Sequence, residues 1–246
     1  MTAALLLIGV LLAQAFDAAS VKRSQPGSVG GSTFQFLSGG GLKVENGTLK
    51  GLIETAYNVR DFQISGGPGW LNSERYDLLA RSASGEPAVL RAEEMRATRV
   101  KLQSLLAERF QLKVHRETRE LQEYALTLDR KGSKLIVEAP LTSSTDSRTG
   151  IQSTCGHMTG TRASMANLTV YLSRQLNRPV VDRTGLTAQY NFELEWTPDL
   201  NPCAESADTA PSIFTALQDQ LGLKLDSIKG PVETLVVDRA EKPVED

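Results

Sequence analysis

Residues 104–130 read SLLAERFQLKVHRETRELQEYALTLDR, and residues 215–239 read TALQDQLGLKLDSIKGPVETLVVDR. In the first stretch Phe110, Leu112 and Val114 alternate with Gln111, Lys113 and His115, the period of a half-buried strand. Tyr124, Leu126 and Leu128 alternate with Ala125, Thr127 and Asp129 in the same way, so the polar RETRE between them predicts a hairpin. Ahead of it Met95, Leu102, Leu105 and Leu106 share one helical face. The second stretch repeats the phrase. Pro211 fits a first helical position, Ile213, Phe214 and Leu217 form the expected buried stripe, and Gly222 marks the helix end. Leu221, Leu223 and Leu225 then alternate with polar residues, Lys229-Gly230-Pro231 predicts a turn, and Val232 to Val237 a returning strand.

The correspondence continues upstream. Thr48 predicts the cap of a helix that buries Leu49, Leu52, Ile53, Ala56 and Tyr57, and Ser164 the cap of another that buries Met165, Leu168, Leu172 and Leu176. Each leads through a glycine-bearing turn, ISGGPG or VVDRTG, to a strand, RYDLLA or QYNFELEW. Phe34-Gln35-Phe36, the SGGG turn and Leu42-Lys43-Val44 predict a further hairpin. Short connections favour antiparallel pairing. The expected class is therefore α+β: two pseudo-repeated halves of mainly antiparallel sheet packed with amphipathic helices. Residues 16–138 form the expected first half and 163–246 the second, with the Ser-, Thr- and Gly-rich 139–162 as a polar linker.

A length of 246 residues, 23% charged and 40% hydrophobic content and a net charge of -2 suit a globular protein. Lys and Arg are scattered among as many carboxylates, which argues against a nucleic-acid partner. Leu5 to Ala13 form a short apolar run that ends in the small-x-small pattern Ala13-Gln14-Ala15, the mark of a secretory signal peptide over residues 1–15. The run is shorter than the roughly 20 apolar residues a spanning helix needs, so no membrane span is expected in the mature chain. Cys155 and Cys203 suit an oxidising compartment, where they either form a disulfide or remain two thiols. His157 beside Cys155, with no further ligand pair at metal spacing, predicts no zinc site.

The remaining candidate motifs read as structure. GSVGGS, SGGG and SGGPG lack the Lys-Ser or Lys-Thr of a phosphate loop. Asp182-Arg183-Thr184-Gly185 has the letters of a phosphorylated-aspartate motif but a leucine fifth, and reads as a tight turn with Gly185 at positive φ. Only His115 and His157 could serve as a nucleophile's base, and no nucleophile elbow accompanies them. Glu193 and Glu195 share one strand face and read as a solvated edge. No catalytic residue, cofactor or metal is assigned.

Together FDAASVKRS, LIETAYNVRDFQISGGPGWLNSERYDLLA, LQSLLAERFQLKVHRETRELQEYAL, RPVVDRTGLTAQYNFELEWTPD and FTALQDQLGLKLDSIKGPVETLVVDRAEKP resemble the soil-associated family of uncharacterised exported proteins expanded in acidobacteria. The resemblance implies a domain of unknown function, joined in some relatives to a membrane metallopeptidase of the antibiotic-sensor type. This chain has no His-Glu-x-x-His motif, so no peptidase role is implied.

The expectation drawn from these readings is a non-enzymatic extracytoplasmic module, periplasmic or secreted, that binds a small molecule or an envelope protein. Equivalent turns of a duplicated fold are expected to line a groove, with Trp70, Arg75 and Tyr76 from one half and Asp182, Arg183 and Tyr190 from the other. The alternatives are an exported hydrolase with His157 or carboxylates as acid or base, and a structural envelope component.

Overall fold

The computed structural model describes residues 15–25, 31–82, 91–137, 149–198 and 210–243. Residues 1–14 of the expected signal peptide, Cys203 and residues 139–148 of the expected linker lie outside them. The chain divides into two compact units, Met1–Glu117 with Glu233–Asp246, and Thr118–Val232. In chain order the first unit contains β1 (Ala18–Arg23), β2 (Thr33–Leu37), β3 (Gly41–Thr48), α1 (Leu49–Tyr57), β4 (Ile64–Gly66), β5 (Arg75–Arg81) and α2 (Arg91–Arg109). The strand β6 (Lys113–Leu128) carries the chain into the second unit, which holds β7 (Ile136–Val137), β8 (Gly150–Thr154), β9 (His157–Ala163), α3 (Met165–Gln175), β10 (Val180–Asp182), β11 (Tyr190–Glu195) and α4 (Ile213–Ala216). A π-helical turn, Leu217–Leu221, extends α4, and β12 (Leu223–Arg239) returns the chain to the first unit.

The fold is α+β with mostly antiparallel sheet, and the duplication is visible in its topology. One sheet has the order β1-β5-β3-β2 and another β7-β11-β9-β8, the same order built from the corresponding strands of each copy. A third sheet, β10-β6-β12-β4, holds the last strand of each copy beside its short parallel partner. Backbone irregularities repeat as well. β3 bulges between Val44 and Gly47 opposite β5, and β9 shifts register against β11 at the corresponding place. Asn46 in one bulge has φ 56° and Arg162 in the other φ 47°. The exposed backbone N–H of Asn46 donates to Asp77 Oδ1 at 2.8 Å, and that of Arg162 to Asn191 Oδ1 at 2.8 Å. Residues that need a left-handed backbone are rare outside glycine, so their recurrence at matched sites marks one design used twice.

Each copy caps its first helix as the sequence predicts. Gly51 N donates to Thr48 Oγ1 at 3.1 Å and Asn167 N to Ser164 Oγ at 3.2 Å, which satisfies amides a helix start leaves open. Leu49, Leu52, Ile53 and Ala56 of α1 pack with Leu102, Leu106, Val44, Leu78 and Val237 in one core. Met165, Leu168 and Leu172 of α3 pack with Phe192, Leu194, Leu217 and Leu223 in the other.

Three expectations are corrected. The stretch RETRE is no turn: β6 runs unbroken from Lys113 to Leu128. Lys229-Gly230-Pro231 is no turn either, since β12 runs from Leu223 to Arg239. Thr234 Oγ1 donates to Glu117 O at 3.2 Å, and Asp129 N to Gly222 O at 2.9 Å. These crossed numbers show that the two strands run antiparallel beside each other, each supplying the hydrogen bonds a hairpin would have taken from itself. The third correction concerns the linker, because residues 150–154 and 157–163 form β8 and β9 and pair through five rungs from Gly150–Thr161 to Thr154–His157.

Candidate functional site

The second unit contains a cavity of about 240 Å³ whose walls are mostly rings and alkyl chains: Tyr124, Leu176, Trp196, Ile213 and Phe214, with Gln175, Asn177 and Thr197 at its polar margin. Four elements place them. Tyr124 projects from β6, and its backbone N–H donates to Pro179 O at 2.8 Å, which holds the exit of α3 against that strand. Val180 N donates to Ser173 Oγ at 3.0 Å and tightens the same exit. Asn177, at φ 45°, turns the chain out of α3. Trp196 directly follows β11, and its backbone N–H donates to Gly156 O at 2.8 Å in the turn between β8 and β9. Thr197 donates through N to Pro211 O and through Oγ1 to Ala210 O, at 2.9 and 2.7 Å, and so fixes the approach to α4.

Ring geometry inside the cavity is specific. Tyr124 and Phe214 meet edge to face, 5.5 Å between centroids at 67°, and Tyr171 meets Trp196 at 6.4 Å and 78°. Trp196 is 3% exposed and forms a floor, whereas Phe214 keeps 36% of its surface in solvent. Phe214 was expected in the buried stripe of its helix. The helix instead buries Ile213, Ala216 and Leu217 and leaves the intervening phenyl ring at the cavity. Burial of such a ring is normally worth several kcal/mol, so an open ring beside a cavity marks a place a ligand could cover. Sequence periodicity missed it because a four-residue helix ending in a π turn does not keep the 3.6-residue stripe.

The first unit has a larger hollow, about 560 Å³, over the open face of β1, β5 and β3. Several of its polar groups are matched to each other. Lys43 pairs with Glu45 at 2.9 Å, and Asp77 Oδ1 accepts from Asn46 N and from Ser24 Oγ at 2.7 Å. Such a face presents little unsatisfied chemistry to a ligand. On β6 and β12 of the same unit, His115 Nδ1 lies 2.9 Å from Asp238 Oδ1, and its Nε2 lies 4.0 Å from Glu117. His157 sits on β9 opposite Thr154 and Glu195. Among the described residues no group of His, Cys, Asp and Glu is arranged to hold a metal ion.

The six residues expected to line a groove fall three to each unit. Tyr76 is fully buried, edge-on to Phe110 at 5.1 Å, and Tyr190 is 4% exposed. Both fill cores, so neither side chain faces a groove. Trp70 is half-buried on a 3-10 turn, Gly69–Asn72, with Lys242 Nζ 6.0 Å from its ring. Arg75 is exposed and donates to Ser32 Oγ and Asn46 O at 3.2 and 3.0 Å. Asp182 Oδ1 accepts from Thr184 N and Oγ1, at 2.9 and 2.7 Å, and Gly185 takes φ 71°, the tight turn the sequence predicts. Arg183 is exposed in that turn. Cys155, in the turn that binds Trp196, is disulfide-bonded.

Fold and cavity together define a duplicated α+β protein with a ring-lined pocket among the described residues of its second unit. The sequence model of a family described as a protein of unknown function (DUF3738) matches residues 50–240, and the chain belongs to that family. No curated protein and no solved structure matches the chain.

Proposed function

We propose that the protein is an extracytoplasmic binding module that takes a small, largely apolar organic molecule against Tyr124, Trp196 and Phe214. The observation that carries this reading is the contrast between the two copies. At the place corresponding to Phe214 the first unit has Gln103, whose Nε2 donates to Ala56 O at 2.8 Å. Where Val180 stands opposite Tyr124 in one copy, Ile64 stands opposite Leu235 in the other, and Leu235 is 1% exposed in the core. There each side chain is already partnered or packed. In the second unit the rings face a cavity, and the side-chain amides of Gln175 and Asn177 make no hydrogen bond among the described residues. One copy has closed this corner and the other has kept it open, as expected where only one is used for binding.

The apolar leader run and the disulfide-bonded Cys155 support an extracytoplasmic location, where such bonds persist. Mass spectrometry of chain recovered from culture medium and periplasm tests this: a mature N-terminus near Phe16 is expected, and a full-length cytoplasmic chain overturns it.

A fragment screen by thermal shift tests the pocket. A ligand at about 100 times its Kd stabilises by about 2.7 kcal/mol, and the shift should vanish in Phe214→Ala while the variant stays folded. Ligands that stabilise Phe214→Ala as strongly as the parent overturn the assignment. The His115–Asp238 pair favours a second reading, an exported hydrolase with an oriented imidazole. Turnover of pooled esters, glycosides or peptides that is lost in His115→Ala or His157→Ala would establish it.

A further inference from the structure

The geometry points to an anion as the ligand: a small organic carboxylate whose apolar body enters the Tyr124–Phe214 pocket. This rests on the pocket assignment above and adds the charge of what fills it. The Arg178 guanidinium carbon lies 4.8 Å from the centroid of the Tyr124 ring. Arg174 sits in the last turn of α3, the helix end that contributes Gln175 and Leu176 to the wall. Neither guanidinium has an ion-pair partner among the described residues, whereas Arg23, Arg116 and Arg239 each pair with a carboxylate. Among the described residues no acidic side chain lines the cavity.

A guanidinium stacked on a ring gives up little hydration and keeps its edge donors for a carboxylate, which it can grip with two parallel hydrogen bonds. Apolar walls with the unmatched Arg178 guanidinium over the Tyr124 ring, and Arg174 in the adjoining last turn of α3, therefore suit a ligand that is apolar at one end and anionic at the other, and repel an amine of the same shape. Arg174 also complements the helix dipole and Arg178 covers Tyr124. Those roles are structural, and they predict no preference between a carboxylate and its amide.

Phenylacetate, phenylacetamide and phenethylamine, equal in ring and near-equal in size, separate the two accounts when titrated into the intact protein by calorimetry or ligand-observed NMR. Phenylacetate is expected to bind about tenfold more tightly than phenylacetamide, the usual worth of a charge-assisted hydrogen bond at a partly open site, with phenethylamine weakest. Combining Arg178→Met, which keeps the stem on Tyr124, with Arg174→Gln should erase that preference, the phenylacetate affinity falling to that of phenylacetamide. Equal binding of acid and amide, or a preference that survives the double variant, overturns the anion inference and leaves the pocket standing. Binding of none of the three probes removes the pocket and the inference together. A peptide ending in free Phe that binds above phenylacetate, and loses binding on amidation, would assign the same chemistry to a chain end.

Discussion

Gln111 and Gly222 hold the same place in the two copies, the left-handed residue between helix and long strand, at φ 48° and 67°. Their surroundings differ. A Cβ at Gly222 would stand 2.1 Å from the backbone oxygen of Gly132, which cannot step aside. Gly222→Ala should cost about 2–4 kcal/mol in urea unfolding, from the left-handed penalty and the clash together. Gln111→Ala should change stability by a few tenths, because Gln111 already bears a Cβ there. Two carboxylates predict opposite pH responses. Burial, aided by Asp61, raises the Glu54 pKa. Its folded form thus favours the proton, and its contribution, present below the ordinary carboxylate value, is lost as pH rises through the raised one. Glu54→Gln should therefore raise Tm at neutral pH and leave it unchanged in acid. Glu74 is held below the usual carboxylate range by hydrogen bonding from Lys242, then from Tyr76, and by the charge of Arg23. Its contribution is present at neutral pH and is lost as pH falls through that lowered value, so Lys242→Met should lower Tm near neutrality and converge with the parent at low pH.

At the scale of elements, the caps carry most of what was readable. Thr48→Ala and Ser164→Ala should each cost about 1 kcal/mol by denaturant titration, because each removes an acceptor for an amide at a helix start. The long strands were the least readable elements. RETRE contains no Gly, Pro or Asn, the residues that make tight turns cheap, but its five consecutive polar residues interrupt the apolar alternation that would mark a continuous strand. Lys229-Gly230-Pro231 has turn chemistry, yet it lies within β12, where a Cβ on Gly230 would meet the Glu123 carboxylate at 2.2 Å. Local propensity favours a turn there, and a partner strand overrides it.

Across the whole molecule, β6 and β12 each cross from one unit to the other. The last strand of the chain completes the core of the first unit: Leu235 and Val237 are 1% and 3% exposed within it, and Glu241 N donates to Phe110 O at 2.7 Å. Ending the chain after Val232 removes this strand. Amides of α1 and β3 should then exchange at rates typical of unfolded chain, while those of α3 and β11 keep their protection, as read by hydrogen-exchange mass spectrometry. Uniform loss across both units would show that the two do not fold independently.

The sequence by itself determined the class, the duplication, the helix caps, the tight turn at Asp182 and the alternating strands, because these depend on neighbours within one or two turns of chain. It could not determine which strand each long segment pairs with, since inter-strand hydrogen bonds look the same from either partner. Nor could it separate Tyr76 and Tyr190, which fill cores, from Tyr124 and Phe214, which line a cavity. All four are aromatic residues on regular elements, and only the packing of segments distant in the chain decides which rings are covered.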